Sequence, residues 1–428
     1  MPSRYAWVPG RSRCASLTLD QPLFAISMAD IQVLVVGAGP SGVIAAYALA
    51  RKGIHVLLCE AQSHCVEDMR ASTFHPPTLD MMAELGLFDE LDEQGLRAPV
   101  FHYRNRRSGE TFAFDLSEIA DVTAHPYRLQ CEQYKLTRLV TQKLQDLPNA
   151  SVRFNHRLIH LEQDEAGVTA RFETPTAIET YRAAYVIGAD GANSIVRKWL
   201  GVEFEGFTYP EKFLTLSTAY PLENTFPNLA NVSYMADAGE WCVLLRVPTL
   251  WRVLVPVADS DADADCTTTE KKNAVFDGLL GVGQGQYVET RHRTAYRVHQ
   301  RVAKTYVRGR ILLAGDAAHL NNPLGGFGMN SGVHDAWNLV DKLTHILLNG
   351  ADAPPLFALY ERQRRTVMHE FVQAQTIKNR EALQYTSKEA QQVQERQMAA
   401  LIEDDEGRRQ HLLRQAMITS RVREAQIT

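Results

Sequence analysis

Apolar residues run unbroken from Val33 to Val36, stop at a cluster of glycines, resume at helical spacing from Gly42 to Arg51, and return as a second apolar run, His55 to Cys59, closed by Glu60. Short apolar runs bounded by turn residues read as fully buried strands, and small residues at helical spacing as a helix packed closely on them. The stretch is a strand, turn, helix, strand unit. From 152 to 190, apolar and β-branched segments around Val152, Leu158 and Val168 are separated by polar turns. That predicts an antiparallel meander leading into the apolar strand YVIGAD, residues 185–190. A second β-rich stretch, about 208–299, contains EWCVLLRVPTLWRVLVPV, a hairpin turning at Pro248-Thr249. Ile311 to Ala314 is another buried strand, followed by Gly315-Asp316, a glycine-rich loop and a helix from about Asn330. His75-Pro76-Pro77 reads as a rigid turn ahead of the helix TLDMMAELGL. From Leu356 on, Glu, Gln, Arg, Ala and Leu recur with few breakers, which predicts mostly helix.

Composition narrows the function classes. The 428 residues suffice for two domains and a sizeable core. Forty-five basic against fifty acidic side chains give a net charge of -5, which excludes the strong positive field that draws in nucleic acid or acidic membranes. No apolar run approaches the roughly 20 residues that cross a bilayer. The six cysteines show neither metal-ligand nor disulfide-framework spacing, so they read as reduced thiols in a cytoplasmic protein, and no metal site is expected. Residues 1–27, with Arg4, Arg11 and Arg13, read as a disordered extension or an upstream start ahead of a domain beginning near Met28; a targeting peptide is the alternative.

Gly37-Ala38-Gly39-Pro40-Ser41-Gly42 fits G-x-G-x-x-G between a strand and a helix, with the acid Glu60 about 20 residues on. The first glycine allows the tight turn, the second lets a pyrophosphate approach the backbone, and the third lets helix pack on strand. The anion sits on the helix N-terminus, where free N–H groups and the helix dipole favour negative charge. A dinucleotide is implied; the motif alone leaves FAD and NAD both open. Two later strands also end in acids, Asp190-Gly191 and Gly315-Asp316, at the strand ends where such sheets bind ligands. After the second comes Pro323-Leu324-Gly325-Gly326-Phe327-Gly328-Met329-Asn330, bare backbone suited to lie against a flat ring.

These three motifs in this order resemble the FAD-dependent aromatic hydroxylases, the single-component flavoprotein monooxygenases related to 4-hydroxybenzoate hydroxylase, over roughly residues 30 to 345. The resemblance implies FAD, with NADH or NADPH as co-substrate. It implies Gly37 to Gly42 on the pyrophosphate, Glu60 on the adenosine ribose, Arg70 on the FAD phosphates and ribose, and Gln130 near the flavin. Asp190 would serve FAD and NAD(P)H, and Asp316 the ribityl or pyrophosphate region. Pro323, Gly326, Gly328, Met329 and Asn330 would line the isoalloxazine. Arg246 and Arg252, six apart across the hairpin, resemble a pair of which the first holds a substrate carboxylate and the second supports flavin and pyridine nucleotide. An arginine fork suits a carboxylate. Leu254 stands where that branch has a tyrosine. His319 and His334 are expected to be structural.

The implied fold is α/β: a discontinuous Rossmann-like FAD-binding domain with the meander (28–100, 129–207 and 300–345), a β-sheet-rich substrate domain (101–128 and 208–299) and a C-terminal helical region (346–428) that covers the FAD domain or makes a dimer contact. The implied chemistry is hydroxylation of a small aromatic or heteroaromatic, or carboxylated, substrate by O2 through a flavin C4a-hydroperoxide. The protein would be a monomer or homodimer. A same-fold reductase or oxidase, or a non-catalytic redox sensor, is the alternative. The W-x-W-x-I-P of flavin halogenases is absent.

Overall fold

The computed structural model describes residues 31–428 except Asp68, Arg70, Arg107, Ala238, Gly239, Tyr385, Thr386 and the side chain of Lys388. The extension 1–27 and the candidate Arg70 therefore lie outside the described residues.

The opening unit folds as strand β1 (Val33–Val36), helix α1 (Pro40–Arg51) and strand β2 (Val56–Cys59). Both strands are buried on both faces, as the unbroken apolar runs require. They sit in a six-stranded sheet that runs Val307–Arg308, Ile311–Leu313, Tyr185–Gly188, β1, β2, Ala150–Arg153. Every neighbour is parallel except the first pair, an antiparallel edge hairpin. The two strands that end in Asp190 and Asp316 thus lie side by side, next to β1, and deliver their acids to one end of the sheet. The meander is a separate three-stranded antiparallel sheet of Arg157–Gln163, Val168–Glu173 and Ile178–Ala183.

The second large sheet has eight strands, including Val100–Asn105, Phe204–Thr218, Val232–Ala236, Cys242–Val247, Leu250–Ala258 and His292–Ala303. Its side chains alternate between two apolar clusters. Phe213, Tyr234, Val243 and Leu254 pack on one face, and Leu214, Leu244, Trp251 and Val253 on the other. Val247 pairs with Leu250, so the hairpin turns at Pro248-Thr249.

The long helix Phe327–Asn349 starts three residues before the sequence pattern suggests, capped by Gly326 at φ +72. It crosses α1 at small residues: a Cβ on Gly332 would fall 2.2 Å from Ser41 Oγ and 3.0 Å from Gly315 Cα. Pro76 and Pro77 are not a turn ahead of a helix but its first residues, Pro76–Glu84, where missing N–H groups cost nothing.

The C-terminal helices strap both sheets. Tyr360 Oη donates to Leu313 O (2.6 Å), and Glu361 accepts from the N–H groups of Tyr306 and Val307. Farther on, Arg408 and Arg409 pair with Glu118 and Asp121 beside the eight-stranded sheet. Among the described residues, no helix is long and apolar enough to cross a membrane.

Candidate active site

A cavity of about 700 Å³ lies between the two large sheets. Gly39, Pro40 and Ser41 form one end of it, and Thr215, Val232 and Leu254 of the eight-stranded sheet line the other.

The three motif glycines are needed for three different reasons. Gly37 continues the sheet by donating to Cys59 O (2.8 Å), then turns at φ +102 so tightly that a Cβ would lie 2.4 Å from Ala189 O. A Cβ on Gly42 would fall 1.9 Å from Gly37 O, so the helix needs bare backbone there to close on the turn. A Cβ on Gly39 meets nothing within 4 Å. No packing explains that glycine. Gly39 is the N-cap of α1, has no side-chain cap, and opens on the cavity, leaving the first N–H groups of the helix for an anion. Ala38 N–H donates to Glu60 Oε2 (2.8 Å) and Gln62 N–H to Oε1 (2.9 Å), which fixes the carboxylate beside the turn. Neither Ala38 nor Glu60 is on the cavity wall.

Asp190 is turned inward. It accepts from Ser194 Oγ (2.5 Å) and from the N–H groups of Ile195 (2.7 Å) and Val196 (3.0 Å). Burial pushes its carboxyl above the ordinary value, against those hydrogen bonds. It shapes the loop, and its successors Gly191, Ala192 and Asn193 reach the cavity. Asp316 itself lines the cavity. Its loop is held from behind by Asp335, which accepts from Gly315 N–H (2.9 Å), His319 Nε2 (2.6 Å) and Arg364 Nε (2.6 Å). Burial opposes ionisation of Asp335, but the charges of His319 and Arg364 hold its carboxyl below the usual range.

Pro323, Gly326, Gly328 and Met329 line the cavity, together with Leu324 and Gly325. Asn330 does not. It is fully buried and clamps the loop, donating to Thr73 O (2.8 Å) and Gly326 O (2.7 Å) and accepting from His75 N–H (2.9 Å). His75 Nε2 lies 2.7 Å from Gly325 O. Burial, then the charge of Arg128, pushes His75 well below the usual histidine value, so the neutral ring donates that bond. His334 pairs with Thr78 Oγ1 (3.1 Å) and is likewise held neutral, first by burial. Both expected structural histidines, His319 and His334, are hydrogen-bonded and buried.

The structure separates the two hairpin arginines. Leu245 pairs with Arg252 and Val243 with Leu254 on the cavity face, whereas Arg246 pairs with Trp251 on the opposite face. Arg246 stands 5.3 Å over the Trp251 ring and 3.5 Å from Glu223, away from any substrate carboxylate in the cavity. The two-residue turn puts positions six apart on opposite faces, which corrects its expected role. Arg252 is buried, lines the cavity and donates to Ser72 Oγ (2.8 Å). Gln130 is buried behind the wall, accepting from Thr73 Oγ1 (3.1 Å). Arg128 and Gln133, on either side of it, reach the cavity instead.

Arg128 and segment 71–73 line the cavity and His75 braces its loop, roles that no sequence motif marks. The strand Arg128–Gln130 is too short for a periodicity that would mark the arginine. The five described cysteines are buried and free; burial pushes the thiols of Cys131 and Cys242 up to about 12, so neither is a ready nucleophile.

The residues present fit FAD. A bare Gly39 at an uncapped helix start suits the pyrophosphate, and a glycine loop forms one wall farther along the same cavity. Comparison with known proteins agrees. The family model described as FAD binding domain matches residues 30–375. The chain is 34% identical over 343 residues to para-nitrophenol 4-monooxygenase of a Pseudomonas species, covering 79% of this chain and 84% of that protein. It is 29% identical over 360 residues to 6-hydroxy-3-succinoylpyridine 3-monooxygenase of Pseudomonas putida, covering 81% and 88%. The crystal structure of a p-nitrophenol 4-monooxygenase from Pseudomonas putida superposes with a TM-score of 0.84 at 30% identity, covering 89% of this chain and 96% of that one.

Proposed function

The chain belongs to the FAD-binding family of flavin-dependent aromatic monooxygenases, and from that premise we propose that it hydroxylates a small aromatic or heteroaromatic compound, using FAD, NAD(P)H and O2. The observation that carries this reading is one continuous cavity joining the uncapped helix start at Gly39 to an apolar pocket walled by Val232, Val243, Leu245 and Leu254. The relatives named for para-nitrophenol and for a substituted pyridine support a single substituted ring as substrate. They favour oxygen insertion over the reductase, oxidase and sensor readings.

When bound, FAD supplies hydride acceptance from NAD(P)H and activation of dioxygen. The chain supplies binding and exclusion of water. The N–H groups at the start of α1 would hold the pyrophosphate and Asp316 the ribityl region, with Glu60 fixing the turn at Ala38 from outside the cavity wall. The loop from Pro323 to Met329, stiffened from behind by Asn330 and His75, would support the flavin ring. Arg252, on the cavity wall and fixed by Ser72, would support the flavin. The apolar wall keeps water from the reacting centre, where it would waste reducing equivalents.

The test is steady-state turnover of the FAD-loaded enzyme. A panel of phenols and hydroxypyridines should include members that accelerate NAD(P)H consumption and yield hydroxylated product. A panel with no acceleration would remove the proposal.

A further inference from the structure

Arg128 is fully buried on the cavity wall, and its charge is not answered by the protein. Nη1 donates to Tyr234 Oη at 3.3 Å, Nη2 makes a long contact of 3.5 Å to Gln415 O, and the guanidinium lies 4.3 Å from the centre of the Phe101 ring. Nε has no partner. Among the described residues, no carboxylate is within ion-pair reach of this group. A guanidinium removed from water without a counter-charge is costly to the fold, and such groups are otherwise paired.

The surroundings are neutral as well as apolar. Tyr103 stacks on Tyr234 with ring centres 5.1 Å apart and accepts from Gln415 Nε2. Burial, and secondarily the charge of Arg128, drives His75 and His411 toward the uncharged state, His411 down to about 4. Burial raises the Tyr103 hydroxyl, so it stays protonated and provides no anion. Phe101, Tyr103 and Tyr234 all belong to the apolar cluster of the eight-stranded sheet. The pyrophosphate end of the cavity has its own donors on α1, so the anion that Arg128 awaits is at the substrate end.

We propose that Arg128 is the charge-selecting residue of the substrate pocket, and that the substrate binds as an aromatic anion whose phenolate or carboxylate oxygen pairs with the Arg128 guanidinium beside Tyr234. Arg246, on the far face of the hairpin, has no part in it. The inference rests on reading this cavity as a monooxygenase substrate pocket, and it is tested by equilibrium binding to the oxidised holoenzyme, which needs no turnover.

The probes are 4-nitrophenol, benzoate and the neutral benzamide, followed by perturbation of the flavin spectrum. The wild type should bind at least one of the two acids more tightly than benzamide. If the phenolate is the group selected, bound 4-nitrophenol stays ionised at a pH where the free compound is protonated; if the carboxylate is, benzoate binds tightest. Arg128→Gln should weaken the selected acid by at least about tenfold while leaving benzamide unchanged, and Arg128→Lys should recover part of the loss. Should Arg128→Gln fail to fold, the wild-type preference for anions still decides. Equal or tighter binding of benzamide by the wild type overturns the proposal. So does an Arg128→Gln enzyme that keeps its affinity for both acids, including one whose flavin reduction potential falls, because the guanidinium would then serve the flavin. Turnover of neutral rings alone would leave the monooxygenase reading intact and sink this one; anion binding without turnover would do the reverse.

Discussion

Three glycines of one motif have three separable duties, so their substitutions should separate too. Gly42→Ala places a Cβ 1.9 Å from a backbone oxygen, and the shift it forces should destabilise the FAD-free protein by about 1–3 kcal/mol. Gly39→Ala meets no protein atom and has an ordinary φ of -70, so denaturant midpoints should not move while FAD affinity falls. Equal stability losses in the two variants would refute the assignment. The turn was legible because its chemistry is local: strand, turn and helix are contiguous, and the bare backbone can be read from the letters. Arg246 was not legible in the same way. Which face it occupies depends on pairing register, and shifting the register by one residue exchanges the faces. Arg246→Ala is accordingly expected to leave KM for a carboxylated substrate unchanged in steady-state assays, whereas Arg252→Ala, which removes the bond to Ser72 from the cavity wall, should raise KM or lower kcat. Arg128 is not legible as a site residue, because a lone arginine near a strand reads as a solvated residue until burial is known.

At the level of elements, the two acid-ending strands were correctly recognised by their sequence, but the machinery behind them comes from far along the chain. Arg364, on the helix Ala353–Val367, joins Asp335 to Glu424 of the last helix, Ile418–Ala425, and both carboxylates are buried. Asp335 in turn holds the Gly315 N–H. No sequence periodicity announces a tie between segments that distant. Removing the shared cation with Arg364→Met leaves two buried carboxylates without their guanidinium, which should cost about 3–5 kcal/mol in urea unfolding. Because the Asp316 loop hangs from the same network, FAD affinity should fall with it. A variant that lost stability but kept full FAD affinity would show that the C-terminal helices brace the sheet without shaping the site.

Over the whole molecule, the unbroken apolar runs at 33–36 and 55–59 mark strands buried on both faces, and these form the centre of the parallel sheet, whereas the covering of the eight-stranded sheet on both of its faces follows no simple alternation in the letters. The contact between the sheets, which creates the cavity, has no such pattern and emerged only with the fold. Burial of several neutral histidines there has a consequence for stability. His411 is held at about 4, below the ordinary value of 6.5, so on acidification the unfolded chain takes up a proton that the folded one refuses. Its contribution is whole above pH ~6.5 and is lost toward pH ~4, at up to about 1.4 kcal/mol per pH unit; His75 and His334 act with the same sign. The urea midpoint should therefore drop between pH ~7 and ~5, less steeply in His411→Phe, and identical slopes would contradict the placement of that ring. The most direct test of the account is the fate of isotopically heavy dioxygen in the FAD-loaded enzyme supplied with NAD(P)H and a phenol that stimulates its oxidation. One labelled oxygen atom in the hydroxylated ring for each productive NAD(P)H consumed is the predicted result; product carrying oxygen from water, or NAD(P)H oxidation that no aromatic ring accelerates, would contradict it.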